Sequence, residues 1–324
     1  MAEHGAEGST RAVIAALLAN TGIAVLKFVA FALTGASSML AEGIHSIADS
    51  GNQGLLLLGG KRAGRAATPE HPFGYGRERY IYSFLVAIVL FSVGGLFALY
   101  EAYHKAHEVA SGHPDELLAS RWWWVAIVVL LGAIVMEGLS FRTAVGETNK
   151  TRGSVSFPEF IRRAKSPELP VILLEDFAAL VGLTFALFGV GLAKITGNGY
   201  FDVAGTAAIG LLLVGVAVVL GIETKSLLLG EAATPAAQRR LRDRLEQTEG
   251  VERVIHMRTM HLGPEELLVA VKVAVPRSSD AAQVAASIDA AERAMREAEP
   301  AARVIYVEPD IYVEGHHTDP RPTP

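Results

Sequence analysis

His45 and Asp49 stand four positions apart in the run Ala41-Glu42-Gly43-Ile44-His45-Ser46-Ile47-Ala48-Asp49-Ser50-Gly51-Asn52-Gln53. On a helix that spacing stacks the two side chains on one face. A neutral imidazole beside a carboxylate suits Zn²⁺ and similar first-row ions. Two ligands do not complete a tetrahedral site, so more must come from another element. The alternative is that His45 and Asp49 pair with each other and hold helices together. Asn52 and Gln53 suit helix–helix hydrogen bonding, and Glu42 suits the mouth or surround of a site. A second run, Leu173-Leu174-Glu175-Asp176-Phe177-Ala178-Ala179-Leu180, supplies further charge. On a helix Glu175 and Asp176 point about 100° apart, so only one can face a neighbour squarely. Two adjacent carboxylates in an apolar run call for a cation or a basic partner. Asp176 is the expected metal-facing group. Glu175 is either a fourth ligand or the partner of a basic residue.

The elements that position these residues are membrane helices. The chain of 324 residues is 51% hydrophobic, and its mean hydropathy is positive. About 20 apolar residues cross a bilayer core of roughly 30 Å as a helix. Six such runs are expected, at about 12–34, 37–59, 81–103, 122–144, 168–193 and 200–223. Thr34-Gly35-Ala36-Ser37 and Thr196-Gly197-Asn198-Gly199 make tight hairpins of the first pair and the last pair. Lys61, Arg62, Arg65, Arg77 and Arg79 follow the second run, and Arg142, Lys150, Arg152, Arg162, Arg163 and Lys165 follow the fourth. The opposite loops carry only Lys105 and Arg121. The basic loops therefore face the cytoplasm, and both termini lie with them in a multi-pass cell-membrane protein. Trp122, Trp123 and Trp124 mark an interfacial belt. Among the other polar residues in the spans, Asn20, Lys27, Glu137 and Asp202 are expected in structural roles, with Lys27 snorkelling or paired to a carboxylate.

Residues 1–11 read as a polar tail without a cleavable leader, 12–229 as the membrane domain and 230–313 as a soluble cytosolic domain. The last segment, 314–324, is expected to be disordered, with His316, His317 and several prolines. In the soluble domain Thr234-Pro235 starts a helix. Strands are expected over 251–261 and 265–275, the second alternating through Leu267, Val269, Val271, Val273 and Val275. Asp280 caps another helix, and Val304-Ile305-Tyr306-Val307 forms a last strand. The order α-β-β-α-β predicts a small ferredoxin-like α+β domain. A net charge of −5 argues against nucleic acid as a partner. The absence of cysteine removes disulfides and thiolate metal sites, so any site uses His, carboxylate or amide ligands. No Gly-rich phosphate loop or Ser/His/Asp arrangement supports an enzyme.

Three stretches carry a resemblance to a known family: Ala41 to Ser50, His71-Pro72-Phe73-Gly74-Tyr75-Gly76-Arg77, and Arg258-Thr259-Met260-His261-Leu262-Gly263-Pro264. With six spans and the αββαβ tail, the chain resembles the cation diffusion facilitators over about residues 10–313. The resemblance implies a homodimeric exporter of Zn²⁺ or related divalent ions, exchanging metal for protons, with the ion between the second and fifth spans. It implies alternating access by the first, second, fourth and fifth spans rocking against the third and sixth. The implied set is His45, Asp49 and Asp176 with Glu175 or water, His45 and Asp49 also carrying protons. No cofactor is implied beyond the transported ion.

Two features depart from the common pattern. A His is usual four residues before the fifth-span Asp, and Ile172 stands there. Glu175-Asp176 instead resembles the branch that includes a mitochondrial zinc carrier of animals. Fewer nitrogens and more oxygens admit Mn²⁺, Fe²⁺ or Co²⁺ beside Zn²⁺. In the tail, the strand positions where bacterial members place regulatory His residues hold apolar residues such as Val271 and Val307. His256 and His261 remain, pointing to opposite strand faces. Dimerisation is the tail's expected role, with an ion pair of Arg77 and an acidic residue such as Glu231. The competing reading is a non-transporting partner or scaffold subunit with a degraded metal site.

Overall fold

A computed structural model describes residues 20–112 and 116–314. The expected polar N-terminal tail, the start of the first span and the proline-rich end lie outside the described residues. Helix α1 (Asn20–Thr34) turns at Gly35, whose φ of 65° suits glycine, into α2 (Ser37–Ala63). Then come α3 (Glu78–Ala110), α4 (Trp123–Arg152), α5 (Glu168–Thr196) and α6 (Tyr200–Leu229). Gly197, at φ 67°, caps α5 by donating its N–H to the Ala193 carbonyl. The four helices α3 to α6 are long and apolar enough to cross a membrane. Helix α2, with 27 residues, is about 40 Å long but carries the polar run.

The bundle has its large apolar side chains outside and its charges inside. Val25, Leu26 and Val29 on α1, Val128, Val135 and Leu139 on α4, and Leu211 and Ile222 on α6 are exposed. Lys27, Glu42, His45, Asp49, Asn52 and Glu175 are buried. That inversion fits a helix bundle whose surroundings are hydrocarbon. Asp202, at the start of α6, accepts the Ser37 backbone N–H at 2.9 Å and the Ser38 hydroxyl at 2.5 Å. Its carboxylate thus caps α2 at the positive end of the helix, the structural role expected of it. Midway along α3, Leu90–Leu96 forms a π-helical turn, a feature common at functional sites.

Residues 61–80 form a second compact unit with those from 226 onward. Here α7 (Pro235–Glu246) is capped by Thr234, whose hydroxyl accepts the Ala237 N–H. Strand β1 (Arg253–Gly263) pairs antiparallel with β2 (Glu266–Ala274), and β2 pairs in parallel with β3 (Ala302–Asp310) after the crossover helix α8 (Ala281–Ala298). Asp280 and Gln283 form a capping box at the start of α8. The order is the expected αββαβ, with strand ends shifted by one to three residues. Leu267, Val269, Val271 and Val273 turn one sheet face onto Leu241, Leu245, Ala291 and Met295. Two of the signature stretches meet in this unit. A Cβ on Gly76 would stand 2.9 Å from the Leu262 carbonyl, and one on Gly263 would stand 2.9 Å from the Gly76 Cα. Only glycine allows the loop and the β1–β2 turn to touch so closely.

Candidate metal site

Helix α2 lines up Glu42, His45, Asp49 and Asn52 on one face, the helical repeat of three and four residues. All four are buried, His45 at 1% and Asp49 at 6% exposure. His45 Nδ1 lies 3.4 Å from Asp49 Oδ1. Among the described residues, neither ring nitrogen of His45, nor Asp49 Oδ1, has a hydrogen-bond partner. Buried polar atoms are costly to leave unmade, so these three atoms are the donor set a cation would satisfy.

Helix α5 presents Glu175 to this face. Asn52 donates to Glu175 Oε1 at 2.8 Å, and the Asp49 and Glu175 carboxyls are in hydrogen-bond contact. Asp176 turns to α4, where it accepts the Ser140 hydroxyl at 2.9 Å. Ile172, one turn before Asp176, is exposed. Of the two adjacent carboxylates, the structure brings Glu175 to Asp49 and Asn52, and it places Asp176 beside Ser140. Among the described residues, no three His, Asp or Glu side chains stand close enough together to hold a metal ion. Asp49 and Glu175 hold each other instead.

Helix α3 covers the imidazole through its π turn. A Cβ on Gly94 would lie 3.9 Å from His45 Nδ1 and 3.1 Å from a Leu213 methyl. On α1, Lys27 does not snorkel. Its ammonium is fully buried and donates to Glu42 Oε2 at 2.9 Å and to Ser46 Oγ at 2.8 Å. Glu137 on α4 is also buried, at 8% exposure, and interacts electrostatically with Lys27, Asp176 and Glu42.

Residues 13–229 match the cation efflux transmembrane domain, two thirds of the chain. The chain belongs to the cation diffusion facilitator family. It is 32% identical over 259 residues to the mitochondrial proton-coupled zinc antiporter SLC30A9 of Homo sapiens, covering 79% of this chain and 44% of that protein. It is 30% identical over 226 residues to metal tolerance protein C4 of Arabidopsis thaliana, covering 69% and 48%. It is 25% identical over 251 residues to the magnetosome protein MamM of Paramagnetospirillum magneticum, covering 77% and 72%. The chain thus spans less than half the length of the first two relatives. The likeness to a mitochondrial zinc antiporter agrees with the branch that Glu175-Asp176 suggested.

Within this facilitator, sequence reasoning left Glu175 and Asp176 unresolved, and it allowed Lys27 a carboxylate partner without naming Glu42 or Ser46. A signal for the first was present. The buried stripe of α5 runs through Ala179, Gly182, Ala186, Gly189 and Ala193, and Glu175 continues it at the same three- and four-residue steps. Asp176 shares its side with the exposed Ile172. In the second unit, Arg77 donates to Met260 Sδ at 3.3 Å, and the Glu231 backbone carbonyl accepts the His261 N–H at 2.8 Å. His261 is buried and its Nδ1 is 3.4 Å from the Gly263 carbonyl oxygen.

Proposed function

We propose that this facilitator is a divalent-cation exporter, with Zn²⁺ as first substrate and Mn²⁺, Fe²⁺ or Co²⁺ admitted, working as a metal/proton antiporter by alternating access. The observation that carries the reading is the burial of His45, Asp49 and Glu175, with neither imidazole nitrogen hydrogen-bonded among the described residues. The metal takes His45, Asp49 and Glu175 as ligands, with Asp176 held beside them on Ser140 in a supporting role. A hydrogen bond between two carboxyls contains one proton. Coordination by both Asp49 and Glu175 expels it, and His45 must be neutral to ligate, so metal and protons compete for the same atoms. Opening the site to the far side lets protons return and release the ion.

The basic loops orient the chain with both termini in the cytoplasm of a cell membrane. The C-terminal domain pairs two copies into a homodimer, with Arg77 and Glu231 contributing an ion pair between them. The chain acts as a transporter rather than an enzyme, in keeping with the human relative named as a proton-coupled zinc antiporter. Reconstitution into proteoliposomes with internal zinc and pH indicators tests this. Zn²⁺ influx should drive proton efflux, and Asp49→Ala should lower the flux by about 100-fold or more, at least the cost of losing a ligand's supporting group. Undiminished flux in Asp49→Ala and Glu175→Ala would sink the reading in favour of a non-transporting partner subunit.

A further inference from the structure

Glu42, one helical turn before His45 on α2, forms an ion pair with Lys27 of α1, both at 0% side-chain exposure. Holding α1 to α2 does not require them. Burying both charges costs several kcal/mol of desolvation per ion, and such pairs often stabilise no better than apolar residues. The pair is also incomplete as glue. Lys27 Nζ uses Glu42 Oε2, Ser46 Oγ and, at 3.5 Å, the Glu42 carbonyl, while Glu42 Oε1 has no hydrogen-bond partner among the described residues. Gly182 of α5 faces that oxygen: a Cβ there would stand 2.7 Å from Glu42 Oε1 and the carboxylate would have to shift. The ammonium interacts electrostatically with His45, Asp49 and Glu137, and these with Glu42 are the charged groups around it on α1, α2 and α4.

We propose that Lys27 is a tethered cation that sets how tightly the transported ion is held. It is a positioning residue that ligates nothing and acts through the field it places on the His45–Asp49–Glu175 site. Glu42 and Ser46 fix the ammonium, so its repulsion of an arriving dication is permanent. A carrier must bind its ion well enough to load and weakly enough to release. A site with buried carboxylates on α2, α4 and α5 errs toward holding on, and one fixed positive charge corrects it.

This inference rests on the metal-carrying reading of the same site. The test is Zn²⁺ flux in proteoliposomes for Lys27→Met, Glu42→Gln and the double variant, each checked for monodispersity. Lys27→Met should lower KM on the order of tenfold, the scale of one nearby charge acting on a dication, and lower the maximal rate as release slows. Glu42→Gln should raise KM. The double variant should return KM to within about twofold of wild type. A merely structural ion pair moves both single variants the same way, and that result, or no change in KM, overturns the proposal. If Lys27→Met fails to fold, Glu42→Gln decides alone: a raised KM supports the proposal, and an unchanged or lowered one overturns it. Wild type carrying no Zn²⁺ overturns the transport reading and this inference together. Flux in wild type with parallel shifts overturns this inference only.

Discussion

Glu175 and Asp176 are chemically alike and adjacent, yet their surroundings differ. Glu175 is held by Asn52 and touches Asp49, while Asp176 is half-exposed and held by Ser140. Glu175→Gln should therefore abolish Zn²⁺ flux to the level of Asp49→Asn. Asp176→Asn should keep measurable flux with a raised KM, because its amide can still bond Ser140. Equal loss in both variants would make the two carboxylates joint ligands. The His45–Asp49 pair was legible from spacing alone, since a four-residue step fixes a shared face. The choice on α5 was not, because a rotation of 100° separates the candidates and only neighbouring helices set the rotation. Lys27 was harder still: its partner Glu42 is 15 residues away across a hairpin.

The helices that hold these residues depend on close backbone approach. On α6, a Cβ at Gly205 would stand 2.8 Å from the Phe185 carbonyl oxygen of α5 and 3.3 Å from the Gly189 Cα. Backbone cannot swing aside as a side chain can. Gly205→Ala should separate α5 from α6 and destabilise the bundle by about 1–3 kcal/mol, the usual cost of overpacking, seen as a lower thermal midpoint in detergent. Gly191, with open space around its Cβ position, should accept alanine without such a change. In the C-terminal domain the parallel β2–β3 pair carries Lys272 between Glu308 at 2.8 Å and Asp310 at 3.1 Å. Hydrogen bonds donated by Lys272 to Glu308 and then Asp310 hold its pKa above its ordinary 10.5. A raised lysine pKa favours the folded state while the amine is charged. The advantage of wild type over Lys272→Gln should be constant up to about pH 10 and vanish as pH rises through the folded pKa, read from thermal midpoints across that range. The alternation of β2 was legible from sequence, and this cross-strand clamp was not, because it depends on register.

The number of crossings turns on α2, which is long enough to span but too polar for hydropathy to identify. Its polar face is buried against α1, α3 and α5, so the bilayer meets residues such as Ile47, Leu57 and Leu58 instead. Sequence periodicity exposed this helix only because the charged positions share a face. The structure also fixes where its ends lie. Asp202 ties the start of α2 to the start of α6, next to Asn198, while the far end carries Lys61 and Arg62 toward Ala67. If α2 crosses, positions 67 and 198 face opposite sides. The natural chain has no cysteine, so single cysteines report without background. Ala67→Cys, Thr151→Cys and Ser278→Cys should react with a membrane-impermeant maleimide only in inverted vesicles. Ser111→Cys and Asn198→Cys should react only in right-side-out ones. Labelling of positions 67 and 198 from the same side would mean that α2 does not cross. The His45 site would then lie at a surface instead of in the bilayer core, and the alternating-access mechanism would lose its barrier.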